Sequence, residues 1–161
     1  YRNCHYRTIN FSDMEINQQG LDLIKSFEGC KLNAYLDSVN VPTIGYGATY
    51  YENGEKVKLG DKITQQRADE LFKFHIKQFS VKVRSLIKSN VNDNQFSALV
   101  SFAFNCGIAN LQKSTLLKKV NANANDITIS NEFMKWNKAG GKVLNGLTRR
   151  RKAEADLYFS K

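Results

Sequence analysis

The sequence predicts an α+β chain in which a small antiparallel β lobe is followed by a larger, mainly helical lobe, with a cleft between them. Three observations carry this. Apolar residues recur at helical spacing through most of residues 64–159, segment 33–59 instead sets Tyr, Val, Thr and Ile among Pro42, Gly45 and Gly47, and Asn53-Gly54 is a strong hairpin signal. With 161 residues, 42% of them hydrophobic and 11% aromatic, the chain has material for one sizeable core.

Taken in order, residues 1–15 show no periodicity and read as an N-terminal extension, leaving 16–161 as one folded domain with its β-rich part at about 30–60 and its helical part at about 64–161. Asn17 offers a helix N-cap; Leu21, Leu23, Ile24 and Phe27 trace an apolar stripe, and Gly29 stops it. After the β segment, Thr64 opens a long helical pattern through Ala68, Leu71, Phe72, Phe79, Val83 and Ile87. Asn92 and Gln95 form a capping box ahead of Phe96, Leu99, Val100, Ala103 and Phe104, a very apolar helix that stops at Gly107 and is expected at the centre of the core. Ser114–Ala122, Ile127–Trp136 and Leu147–Phe159 supply further amphipathic helices, separated by an Asn-rich stretch at 121–125 and by Gly140-Gly141.

Charge is unevenly distributed. Residues 1–80 hold ten basic and ten acidic side chains, whereas 81–161 hold fourteen and five, so the whole surplus of nine positive charges lies in the second half. That imbalance calls for an anionic partner, and nucleic acid, an anionic membrane or a bacterial wall all fit it. No apolar run approaches the roughly eighteen residues of a spanning helix. The chain begins at Tyr1 rather than methionine, which leaves room for a removed signal, anchor or partner domain. Cys4, Cys30 and Cys106 match neither a disulfide framework nor zinc-ligand spacing, and Cys30 and Cys106, beside apolar residues, read as small packed hydrophobes. His5 reads as part of the flexible end and His75 as part of a helix face.

The residues that could carry chemistry are Glu28, Asp37 and Thr43. On one continuous helix Glu28 and Asp37 would fall on opposite faces; because Gly29 stops the helix, the chain can fold back and bring both to a cleft. Glycoside hydrolysis needs such a pair, one carboxylic acid to protonate the leaving oxygen and one carboxylate to position water. The negative end of the helix and neighbouring Phe27 favour the protonated form of Glu28, while Asp37, in a polar turn with Ser38 and Asn40, is expected to stay ionised and Thr43 to hold the water. By spacing alone, the favoured reading is a solvent-facing Glu28 with Asp37 and Thr43 closing turn hydrogen bonds, since such triples occur by chance.

Phe27-Glu28-Gly29-Cys30-Lys31-Leu32-Asn33-Ala34-Tyr35-Leu36-Asp37, followed by Pro42-Thr43-Ile44-Gly45-Tyr46-Gly47, resembles the phage-type lysozymes, the endolysins of glycoside hydrolase family 24. The family pattern is Glu, eight residues, Asp, five residues, Thr, and both gaps match. The likeness continues through Phe102–Gly107, Ser114–Leu117, Phe133–Trp136 and Gly146–Arg151, in the family's order and over about residues 16–159. One departure is Ala48-Thr49 after Gly47, where some relatives carry a histidine.

The resemblance implies a lysozyme-like fold and hydrolysis of the β-1,4 bond between N-acetylmuramic acid and N-acetylglucosamine in peptidoglycan, causing bacterial lysis. It implies Glu28 as proton donor, Asp37 and Thr43 aligning water, and inversion at the anomeric carbon, for which the carboxyl groups should stand about 6.5–9.5 Å apart. It implies no metal or organic cofactor, a monomer, and action at the bacterial cell wall, in the periplasm or outside the cell. Phe104 and Asn105 match the segment that lines the family's cleft, with Phe104 equally readable as core. Arg149, opening the last helix, is expected to approach and orient Glu28. Two other readings remain: a wall-binding module without turnover, and a cationic protein acting on membranes or nucleic acid through Lys118-Lys119 and Arg149–Lys152. The second lacks an aromatic nucleic-acid signature, so no nucleic-acid partner is expected.

Overall fold

A computed structural model describes residues 14–161. Cys4, His5 and most of the expected extension lie outside them; of its last two residues, Met14 is buried in the core.

The first helix, α1 (Gln18–Glu28), starts where expected, because the Asn17 side chain accepts from the Gly20 amide. Gly29, at φ 67°, ends it in a left-handed conformation that disfavours any other residue. Within α1, Gly20 allows close packing on the central helix: a Cβ there would come 2.6 Å from the Ser97 Cβ. The site's first carboxylate is thus the last residue of a helix pinned at its other end.

Strands β1 (Lys31–Leu36) and β2 (Pro42–Gly45) pair antiparallel, with Tyr35 opposite Thr43 and an irregularity between Lys31 and Tyr35. Isolated bridges extend this region through Asn33 and Lys62, Ile44 and Ala48, and Tyr50 and Lys56. The last closes the turn predicted at Asn53-Gly54, where Gly54 has φ 85°. Ile44, Ala48 and Val57 form a small apolar cluster on Leu71.

Leu71 belongs to α2 (Gln65–Leu86), capped by Thr64, whose next residue Phe72 packs into the main core. One helix therefore joins the β region to the helical region. The capping box of Asn92 and Gln95 forms as expected at the start of α3 (Asp93–Cys106). Gln95 through Ala103 are all buried, so α3 is the centre of the core. Against it pack α1, α2 and α7 (Asn145–Tyr158), while α5 (Thr115–Ala122) adds Leu116, Leu117 and Val120 to the same core.

Three local expectations change. A short α4 (Ile108–Lys113) follows Gly107 directly, too brief to show a period in the sequence. The helix expected over Ile127–Trp136 contracts to α6 (Ile129–Met134), because the Asp126 carboxylate accepts from the Thr128 amide and hydroxyl and holds a turn there. Gly140-Gly141 is more than a separator: at φ 58° and 78° it turns a second hairpin, β3 (Lys138–Ala139) and β4 (Lys142–Val143).

Candidate active site

Glu28 projects from the end of α1 with its side chain 23% exposed. Its Oε1 accepts from Arg150 at 2.6 Å, and Arg150 is 4% exposed. A Cβ on Gly47 would lie 3.6 Å from Oε2, so this second oxygen faces the Gly45–Gly47 turn. That turn is closed by reciprocal amide bonds between Ile44 and Ala48 at 2.9 Å and uses positive φ at both glycines. It brings Tyr46 and Gly47 to a cavity of about 340 Å³ that Glu28 also lines.

The cavity's other walls come from α2 and the end of α3, through Phe72, His75, Phe79, Phe104 and Asn105. Phe104 satisfies both readings of the sequence: it packs edge-on against Phe72 and Phe79 and also lines the cavity. His75 Nε2 bonds the Tyr50 carbonyl at 3.0 Å, and burial pushes its pKa down, so the ring is neutral at pH 7. Among the described residues no group of three or more His, Cys, Asp or Glu is placed to hold a metal ion. Cys30 and Cys106 are free and half-buried.

Asp37 follows β1 and is held entirely by its own turn. Its Oδ1 accepts from the amides of Val39 and Val41, both at 2.9 Å, and no bond to Oδ2 occurs among the described residues. Asn40 takes φ 61°, a left-handed value that asparagine tolerates, and closes the turn through its amide on the Asp37 carbonyl. Thr43, 4% exposed, donates its hydroxyl to the Val41 carbonyl at 2.9 Å. The turn-bonding reading is therefore true of both residues, yet it commits only one carboxylate oxygen of Asp37 and only the proton of Thr43. Asp37 and Thr43 are not among the residues that line the cavity.

Tyr35 lies within electrostatic reach of both carboxylates. It lies opposite Thr43 across the strand pair, and burial, then Glu28, then Asp37 push its phenol pKa up.

The arginine on Glu28 is Arg150, which corrects the expectation for Arg149. Arg149 is exposed; Arg150 falls on the inward stripe of α7 with Glu154, Leu157 and Tyr158. That i, i+4, i+7, i+8 spacing was visible in the sequence. Arg151 is also fully buried, so half of the Arg149–Lys152 run faces inward and cannot serve as the expected surface contact.

Comparisons with known proteins bear on the fold and the family. The family model described as phage lysozyme matches residues 25–154. An endolysin of Bacillus phage B103 is 44% identical over 149 residues, covering 91% of this chain and 55% of that protein, so the chain spans about half the length of that relative. An endolysin of Acyrthosiphon pisum secondary endosymbiont phage 1 is 40% identical over 151 residues, covering 91% of this chain and 99% of that protein. The solved endolysin from Escherichia coli O157:H7 phage FAHEc1 aligns with a TM-score of 0.84 at 40% identity, covering 91% of this chain and 94% of that one. The fold is lysozyme-like α+β, and the chain belongs to the phage lysozyme family.

Proposed function

We propose that this chain is a glycoside hydrolase, a muramidase that cleaves the β-1,4 bond between N-acetylmuramic acid and N-acetylglucosamine in bacterial peptidoglycan and so lyses the cell. The observation that carries the reading is the division of labour within two carboxylates. Glu28 is anchored through Oε1 and leaves Oε2 toward the glycine turn that borders the cavity, while Asp37 is anchored through Oδ1 and leaves Oδ2 for water. A general acid has to be fixed and still reachable by the leaving oxygen, and a water-aligning base has to be fixed and still able to accept a proton.

In this reading Glu28 donates its proton to the glycosidic oxygen from Oε2. Asp37 and the lone pairs of Thr43 align a water on the opposite face of the sugar, and the anomeric carbon inverts. Phe104 and Asn105 contact the glycan along the cavity wall. Arg149, exposed on α7, contributes to the basic surface rather than to the acid's position. The surplus of positive charge in residues 81–161 holds the protein, acting as a monomer, on an anionic wall in the periplasm or outside the cell. No described helix is long and apolar enough to cross a membrane.

The test is the identity of the new chain end. Purified peptidoglycan digested with the protein should yield fragments with N-acetylmuramic acid at the reducing end, and proton NMR of the first product should show the anomer opposite to the substrate. Fragments ending in N-acetylglucosamine or in cleaved peptide would replace the muramidase reading with another hydrolase. Binding without new reducing ends would replace it with a wall-binding module.

A further inference from the structure

Beneath Glu28 lies a charge network that the reaction as described does not use. Glu154, fully buried on α7, presents Oε1 to Arg150 Nε at 3.2 Å and Oε2 to Arg151 Nε at 3.0 Å. The Ser101 hydroxyl from α3 donates to the same Oε1 at 2.8 Å, and Arg150 also donates to the Ser101 carbonyl at 3.3 Å. From this shared carboxylate the guanidiniums diverge. Arg150 reaches Glu28 at the end of α1, and Arg151 donates to Asn105 Oδ1 at 2.6 Å, at the far end of α3. Glu28 and Asn105 are both cavity-lining residues.

Stability alone does not account for such a cluster. A buried Arg-Glu-Arg triad is often no more stabilising than apolar residues of the same volume, because three charges must leave water. This one is also imperfect, since Arg151 Nε and Glu154 Oε2 face each other at 3.0 Å without the alignment of a hydrogen bond. Imperfect buried polar groups concentrate where geometry serves function. Its charge does balance: two guanidiniums meet two carboxylates, Glu28 and Glu154.

We propose that Glu154 is a positioning residue of the active site, one buried carboxylate that sets both walls of the cleft by holding Arg150 on Glu28 and Arg151 on Asn105. This rests on the reading of Glu28 as the acid. Arg150 makes its bond to Glu28 through one terminal nitrogen, while its Nε is tied to Glu154 and its other terminal nitrogen to the Ser101 carbonyl. The guanidinium plane, and with it the direction of the Glu28 carboxyl, is fixed from behind by Glu154 and Ser101. Glu154 touches no substrate and acts only through the two arginines.

The experiment compares wild type, Glu154→Gln and Val120→Ala, a core truncation in α5 away from the cleft, for melting temperature and for the pH profile of reducing-end release from peptidoglycan. Glu154→Gln keeps the shape but leaves one uncompensated positive charge beside Glu28, which is paired with Arg150 and lies within electrostatic reach of Tyr35. Its activity should fall about ten- to a hundredfold at the optimum, and the alkaline limb of the profile should move to lower pH because a net positive charge is left in the network that holds the acid. KM should rise as well, through Asn105. Val120→Ala should lower the melting temperature and leave the limb in place. A folded Glu154→Gln with the wild-type limb and activity would overturn the proposal, as would losses no different in kind from those of Val120→Ala. Should Glu154→Gln fail to fold, Ser101→Ala keeps every charge while loosening Glu154; kcat reduced with the melting temperature retained supports the proposal, and wild-type kcat overturns it. Glu28→Gln run alongside separates the two readings: its full activity removes the acid assignment itself, whereas an inactive Glu28→Gln beside a wild-type-like Glu154→Gln removes only the relay.

Discussion

Glu28 and Asp37 stand nine positions apart and are held in opposite ways. Glu28 depends on Arg150, 122 residues away, which is itself buried against Glu154 and Ser101. Asp37 depends on amides two and four residues ahead in its own turn. The two settings are vulnerable in different places. Anything that shifts α7 against α1 disturbs the acid, whereas the aspartate keeps its position as long as its own turn, residues 37–41, survives. It also separates stability from chemistry: the support of Glu28 is part of the core, while that of Asp37 lies at the surface.

The contrast breaks most visibly at Arg150. Arg150→Ala strips a buried partner from Glu28 and Glu154 together, and we expect it to cost about 3–5 kcal/mol in urea unfolding along with most of the activity. Asp37→Asn should do the reverse. Asparagine keeps an oxygen for the Val39 and Val41 amides, so unfolding should change by less than about 0.5 kcal/mol, while reducing-end release falls by about 10²–10⁴. Equal stability losses for the two variants would erase the distinction between core-held and turn-held carboxylates.

Much of this division was legible beforehand. Asn17, Gly29, Thr64 and the Asn92–Gln95 box mark their helix ends because a cap bonds its own helix within three or four residues. The spacing of Glu28, Asp37 and Thr43 was legible for the same reason, since one helix stop and one strand pair connect them. The choice of Arg150 over Arg149 was not signalled by any neighbour. It depends on which side of α7 meets α3, and two adjacent arginines differ there by 100° of helix rotation, information carried only by the stripe of Glu154, Leu157 and Tyr158. The short α4 and the hairpin at Gly140-Gly141 escaped because six-residue and two-residue elements are too short to express a period.

A smaller effect sharpens the comparison at the cleft rim. Gly47→Ala places a methyl 3.6 Å from Glu28 Oε2 at φ 91°. The strain should cost about 1–2 kcal/mol, and KM should rise more than kcat falls if Oε2 is the face that meets substrate; unchanged kinetics would argue against that orientation.

The smallest expected effect lies outside both carboxylates. Glu52, bonded by Arg67 at 2.7 and 2.5 Å, ties the Tyr50–Lys56 hairpin to α2, and that bond lowers its pKa to about 2. Its contribution is complete above the unfolded value near 4.5 and is lost as pH falls toward 2. Glu52→Gln should flatten the melting-temperature curve between those limits and leave activity at neutral pH unchanged. A curve as steep as that of wild type would assign the acid sensitivity elsewhere.

The most direct test is the rate of reducing-end release from purified peptidoglycan by Glu28→Gln, measured beside wild type at matched melting temperature. Glutamine can still accept from Arg150 but has no proton of the required acidity to give. Release should fall by about 10²–10⁴ with the fold intact; a folded Glu28→Gln that releases ends at the wild-type rate would contradict the assignment of Glu28 as the acid.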